Sequence, residues 1–346
     1  MKSDRLASRL QRIRKMEGQG KKHISVTSKH PVQLSGWTEI DDLVYERECT
    51  LHVSEYRPYC SPLLPLLFPR ERVVLEKIGP LDVSSLLFFD LETTGLSHGA
   101  GTVAFMAALA SFTAPGELCL RQFVITDFPG EAAFLAQLAK ETGKNPRLVS
   151  FNGKCFDCQI LATRYAMNGI QNPFASPKTI HLDLLFPSRR LFRHRLPSCR
   201  LVDIETSLLG IHRPDDLPGS EAPEAWFDFI AGGSSHRLLA VGDHNRDDVF
   251  ALARLLLYLD SEIEQGNNTA ALLRAMDLRR QGYYQEALPF LERCAASGDI
   301  RASRLLAIDL EHRLDDLTRA LTIAKTLDDP LREKRIRTKI ERRKDR

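Results

Sequence analysis

Leu86-Leu87-Phe88-Phe89-Asp90-Leu91-Glu92-Thr93-Thr94-Gly95 runs four apolar residues into an acid, an apolar residue, a second acid and a turn. An apolar run closed by Thr-Thr-Gly predicts a buried strand. On a strand, residues i and i+2 face the same way, so Asp90 and Glu92 project side by side at its end. Two carboxylates so placed repel each other and lose hydration, which is costly unless a positive charge sits between them. A divalent cation answers that requirement, and Mg2+ or Mn2+ prefers hard carboxylate oxygens. An isolated D-x-E usually marks only a strand that has reached solvent. Here the acids abut the apolar run directly, and later acids complete a site.

The 346 residues suffice for two or three domains, and 43% hydrophobic with 27% charged residues describe a soluble globular protein. A net charge of +3 names no partner by itself. Its distribution says more: residues 1–22 carry eight Lys/Arg against two acids, and residues 332–346 nine against three, so each end is +6 around an acidic middle. Basic ends can hold a phosphate backbone and serve equally as solvated helix faces. Seven cysteines, with no apolar leader and no span approaching ~20 apolar residues, predict a cytoplasmic chain without a membrane segment. Cys155-x-x-Cys158 lacks a second pair, so its thiols are expected to pack rather than bind zinc.

Residues 1–80 are expected to be a basic lead-in that packs on the main domain. It would hold a short helix over 3–16 and strands at Leu51-His52-Val53 and Val73-Val74-Leu75. The main domain spans 81–262. After the Asp90 strand, Thr102–Phe112 and Leu118–Ile125 read as strands joined by short links, hence an antiparallel meander. Glu131–Lys140 then reads as an amphipathic helix, Leu148–Phe151 as a strand, Cys155–Met167 as a helix, Thr179–Leu185 as a strand and Leu238–Leu259 as a long amphipathic helix. Strands followed by alternating helix and strand make an α/β fold with a mixed sheet flanked by helices. Residues 268–346 are Ala/Leu-rich helical hairpins with a basic tail, tetratricopeptide-like in spacing, and a small helical cap fits the same pattern.

Three acidic elements line up along the chain. Asp90 and Glu92 are the first. The second is Asn152-Gly153-Lys154-Cys155-Phe156-Asp157, with Asp157 in the first turn of a helix, where an acid also favours the helix dipole. The third is His244-Asn245-Arg246-Asp247-Asp248, in which His244 and Asp248 share a helix face at i, i+4. This order resembles the DEDD family of 3′–5′ exonucleases, whose fold is ribonuclease-H-like. More closely, the chain is similar to the YprB-type branch of that fold. The shared surroundings are Gly101, Thr102 and Phe105, then His181-Leu182-Asp183-Leu184-Leu185, then Ser198 through Glu205 and Arg213 through Gly219. The resemblance covers roughly residues 35–260. One departure stands out: the family's Tyr subgroup places Tyr four residues before the last Asp, and its His subgroup places His five before. This chain has His at the Tyr spacing. Asp247 and Asp248 both remain open as the ligand, and the spacing favours Asp248.

The resemblance implies a metal-dependent nuclease, a 3′–5′ exonuclease on single-stranded DNA or RNA. Asp90, Glu92, Asp157 and Asp248 would hold two Mg2+ or Mn2+ ions, and His244 would orient or deprotonate the attacking water. Thr93, Asn152 and Lys154 are candidate substrate contacts, and His98 is a substitute for His244. The helical tail is a candidate surface for a protein partner. The alternatives are a non-catalytic scaffold or nucleic-acid-binding protein that keeps the fold, and a structure-selective endonuclease.

Overall fold

Alternating burial along short apolar segments builds one seven-stranded sheet among the described residues, which are 34–95, 101–193, 195–214, 216–265 and 267–344 of the computed structural model. The expected helix over 3–16 and His98 lie outside them. The strands are β1 (Thr38–Asp41), β2 (Val44–His52), β3 (Leu86–Thr93), β4 (Ala104–Ala114), β5 (Glu117–Ile125), β6 (Arg147–Ser150) and β7 (Ile180–Asp183). They lie in the order β1-β2-β5-β4-β3-β6-β7. The meander β3-β4-β5 is antiparallel as expected, with the β4–β5 turn made at Gly116, whose φ of +77° only glycine adopts freely. Residues 38–52 extend the same sheet, because β2 pairs with the whole of β5 from Val44↔Ile125 to His52↔Glu117.

One expected strand is a helix. Val73-Val74-Leu75 lies in α1 (Arg72–Ile78), where Val73 and Val74 are exposed and Leu75 alone is buried. Three residues with no edge to pair with cannot hold a strand, while Arg72 and Glu76 make a 2.6 Å pair at helical spacing. The two parallel strands need crossovers, which α2 (Glu131–Thr142) supplies before β6 and α3 (Asp157–Met167) before β7.

Downstream come α4 (Leu185–Phe192), α5 (Ala222–Ile230) and the 30-residue α6 (His236–Gln265). Helix α6 packs across β3 and β4. Small residues make this possible: Ala108 and Ala110 on β4 join Phe88, Val249, Leu252, Ala253 and Leu256 in one buried cluster. The alternation of β3 turns Phe88, Asp90 and Glu92 to one face, so the side of the sheet that packs on α6 also carries the acids. Five further helices follow: α7 (Asn267–Arg280), α8 (Tyr284–Ala296), α9 (Ile300–His312), α10 (Leu317–Thr326) and α11 (Pro330–Lys344). Each packs on the next around its own apolar core, which includes Ala275, Leu291, Leu306 and Ala320.

That core is closed by a buried acid. Glu311 on α9 accepts from Arg335 at 2.7 Å and from Lys339 at 2.8 Å, and Arg332 lies at 3.2 Å. The Arg335 hydrogen bond, followed by that from Lys339, outweighs burial and holds the Glu311 pKa at about 2. This lies below the usual glutamate value of about 4.3, so the pairing stabilises the fold above that range and is lost as pH falls through 2. Glu311→Gln is therefore expected to lower the urea midpoint at pH 7, and the gap from the unaltered protein should close in acid.

Candidate active site

Asp90 stands on β3 opposite Ala108 of β4. Because Ala108 offers only a methyl group, α6 approaches closely enough for Asn245 Nδ2 to donate to Asp90 Oδ2 at 2.9 Å. Asn245 is itself fully buried and held from behind. Gln122 Nε2 donates to Asn245 Oδ1 (3.1 Å) and to the Gly242 carbonyl (2.8 Å). Arg47 in turn donates to Gln122 Oε1 through Nε (2.9 Å) and Nη2 (2.7 Å), and its guanidinium lies over the Trp37 ring. A Cβ at Gly242 would stand 3.0 Å from Trp37 and 3.3 Å from Arg47, so the glycine allows this stack to form. The orientation of Asp90 is thus set through four side chains reaching back to residue 37.

The other residues of the third motif flank Asn245 on α6. His244 Nε2 is 3.6 Å from Asp248 Oδ2, and its Nδ1 meets both oxygens of Asp216 at 2.8 and 2.9 Å. Burial opposes a charged imidazole, but Asp248 and Asp216 outweigh it and raise the His244 pKa. A Cβ at Gly219 would stand 3.1 Å from His244 Nε2, so that glycine leaves the second nitrogen room. Arg213 donates to Asp248 Oδ1 at 2.7 Å and forms an ion pair with the buried Glu205. Burial raises Glu205 to about 7 in spite of Arg213. Asp247, the other open ligand, instead pairs with Arg246 at 2.7 Å.

The second motif is a braced turn. Asp183, 1% exposed at the end of β7, accepts from the backbone N–H of Asn152 (2.8 Å), Lys154 (3.1 Å) and Leu185 (3.1 Å). Asn152 takes a φ of +66°, and at Gly153 a Cβ would fall 2.5 Å from Ser150 Oγ and 3.0 Å from Asp157 Oδ2. This turn delivers Asp157, 4% exposed, into the first turn of α3. Burial and then Asp183 raise Asp157 to about 7. Behind it, His181 Nε2 meets Ser150 Oγ at 2.7 Å, and burial holds the imidazole down at about 3, hence neutral.

The sequence-derived acids therefore come together. Burial, then Asp248 and Asp157, push Asp90 well above the carboxylate range; burial, then Asp90, Asp248 and Asp157, do the same to Glu92. Burial also raises Asp248, against the pull of His244 and Arg213. Four buried carboxylates with raised pKa values are the donor set a hard divalent cation fits. No three His, Cys, Asp or Glu side chains among the described residues are arranged around a ready ion position. Asp248 is turned onto Arg213 and Asp90 onto Asn245.

Two of the three expected substrate contacts have their donors engaged within the fold. The Thr93 hydroxyl donates to the Gly95 carbonyl at 2.9 Å, and Lys154 is paired with Glu71. Cys155, expected to pack, is exposed, while burial raises the Cys158 thiol to about 12. The sequence reading assigned no role to Asn245, Gln122, Arg47 or Asp216. Asn245 sits inside the quoted third motif, and an amide among acids was the one available signal for it.

This geometry defines an RNase-H-like domain. A model of the RNase_H superfamily matches residues 87–260, and the chain belongs to that superfamily. Over 180 residues, 52% of its length, the chain is 34% identical to the uncharacterized protein YprB of Bacillus subtilis (strain 168) and covers 43% of it. It is also similar to E. coli exonuclease I in complex with a dT13 oligonucleotide, at 18% identity over 45% of this chain and 42% of that one, with a TM-score of 0.32. A second exonuclease I structure matches at 18% identity over 53% and 44%, with a TM-score of 0.33. The chain spans less than half the length of each of these proteins.

Gly153→Ala is expected to force the turn apart against Ser150 and Asp157, at a cost of about 1–3 kcal/mol. Urea unfolding of the variant measures it, and an unchanged midpoint would show that the turn has slack.

Proposed function

We propose that the chain is a metal-dependent nuclease, a 3′–5′ exonuclease that hydrolyses phosphodiester bonds of single-stranded DNA or RNA. The observation that carries this reading is the convergence of four buried carboxylates: Asp157 and Asp248 both raise Asp90 and Glu92, and burial raises all four. Two Mg2+ or Mn2+ ions held there would supply a hydroxide nucleophile and stabilise the leaving oxygen. The chain's own residues do the rest. Asn245 holds Asp90 in place. Asp216 accepts from Nδ1–H of His244, which leaves Nε2 of the neutral ring as the atom that takes a proton from water. Arg213 restrains Asp248, whose oxygens would hold a cation. We also propose a cytoplasmic setting, which the seven cysteines support, and assign the tetratricopeptide-like hairpins of α7–α10 to a protein partner.

The Arg213–Asp248 contact favours a second reading, a non-catalytic nucleic-acid-binding scaffold. Calorimetry with Mn2+ separates the two. A nuclease binds the ion, and because protons on the raised carboxylates must leave first, affinity increases with pH through the range around 7 set by Asp157. A scaffold shows no binding at any pH.

Cleavage is tested on 5′-labelled single strands with Mn2+. Exonuclease action gives a ladder of shortened labelled products that Asp90→Ala and EDTA both abolish. Discrete internal cuts would make the enzyme an endonuclease, and wild-type cleavage by Asp90→Ala would overturn the assignment. His244→Ala is expected to lower the rate ~10²–10⁴-fold if that ring acts as the base.

A further inference from the structure

A cavity of about 300 Å3 opens between the segment before α1, helix α4 and the end of α7. Its wall includes Lys154 and Asp183, the residues that shape the turn leading to Asp157. The cavity therefore lies beside the candidate active site and shares these two residues with it.

Its charges are unbalanced. Asp183 spends both oxygens on backbone N–H groups, and Glu71 is paired with Lys154. That leaves Arg70, Arg190 and Arg280 on the wall with no carboxylate partner among the described residues. Arg190 donates only to carbonyls, those of Leu66 (2.8 Å) and Leu273 (3.3 Å). Burial, then Arg280 and Arg301, press its pKa down to about 10. Arg190 is half-buried, while Arg70 and Arg280 are exposed at the rim, and an anion would neutralise the charge these three gather. The remaining wall is apolar and aromatic: Leu67 and Phe68 are buried, while Phe186 is 41% exposed with the Arg70 guanidinium 5.9 Å from its ring centre. A bare phosphate has no use for such a face, whereas a base stacks on a phenyl ring or on a guanidinium plane.

We propose that this cavity is a nucleotide pocket, with Arg190 and Arg280 facing the phosphate and Phe186 with Arg70 facing the base. The volume is that of one small ligand, at the lower end of the ~300–1,000 Å3 usual for such sites. The occupant is either one unit of a bound strand or a free mononucleotide, since both offer the same phosphate and base. The pocket extends the nuclease reading, yet its test needs no catalysis.

Binding is measured on the full chain in EDTA by fluorescence anisotropy, with 5′-fluorescein-labelled oligothymidylate and, separately, a fluorescent mononucleotide. Arg70→Glu/Arg280→Glu is expected to weaken binding about tenfold or more and to flatten its dependence on salt. Phe186→Ala, which leaves charge unchanged, should weaken it by about tenfold through lost stacking. The control is Lys77→Glu/Lys178→Glu, two exposed lysines outside the cavity wall, which is expected to have the smaller effect. Melting curves check that each variant is folded. Loss confined to the oligonucleotide assigns the pocket to a strand, and equal loss for the mononucleotide assigns it to a free nucleotide. No binding of either probe, or losses matched by the control pair, would overturn the pocket. Failed cleavage by the unaltered chain, with pocket-dependent binding intact, counts against the nuclease reading alone.

Discussion

Repulsion among four carboxylates crowded at one end of a sheet is the constraint that the rest of the domain answers. A buried carboxylate is expensive, and a second one within a few ångströms raises the cost for both. The chain does not dilute the charge. Three of the four acids have a separate support: Asn245 on Asp90, Arg213 on Asp248, and for Asp157 a turn braced by Asp183. These supports orient the acids but leave their pKa values raised, so the site retains a demand for positive charge.

The supports depend on packing. Helix α6 has two duties along its length. Val249, Leu252 and Leu256 anchor it in the core, while His244, Asn245 and Asp248 present polar groups to β3. The approach is close because β4 carries alanines where the helix crosses. The polar chain from Trp37 through Arg47 and Gln122 to Asn245 joins β2, β5 and α6 to the orientation of Asp90. An N-terminal segment with no chemistry of its own thereby contributes to the site, since fully buried amides such as Gln122 and Asn245 must each find partners.

The helical region is tied to the domain close to the second motif. Arg72 of α1 pairs with Asp277 of α7, and Arg190 of α4 reaches the Leu273 carbonyl. The same junction gathers the unpaired arginines that line the cavity. The positive charge evident at both ends of the sequence is therefore not the only basic feature. Another arises where α4 and α7 meet, from Arg190 and Arg280, about ninety residues apart in the chain.

The sequence by itself determined the elements whose signal is local. The Leu86–Phe89 run specified β3, the period of two placed Asp90 and Glu92, and the i, i+4 spacing placed His244 above Asp248. Short links made β3-β4-β5 a meander. What it left open were quantities that depend on what lies across the fold. Val73 and Val74 have strand propensity, but only the absence of a pairing edge makes them helical. Asp216 and Asp183 read as ordinary acids until tertiary structure places one against His244 and the other beneath three backbone amides. Lys154 and Thr93 looked available to substrate until Glu71 and the Gly95 carbonyl took their donors. Periodicity follows from the geometry of one segment. Hydrogen-bond partners and local charge balance belong to pairs of segments, and only folding decides which segments meet.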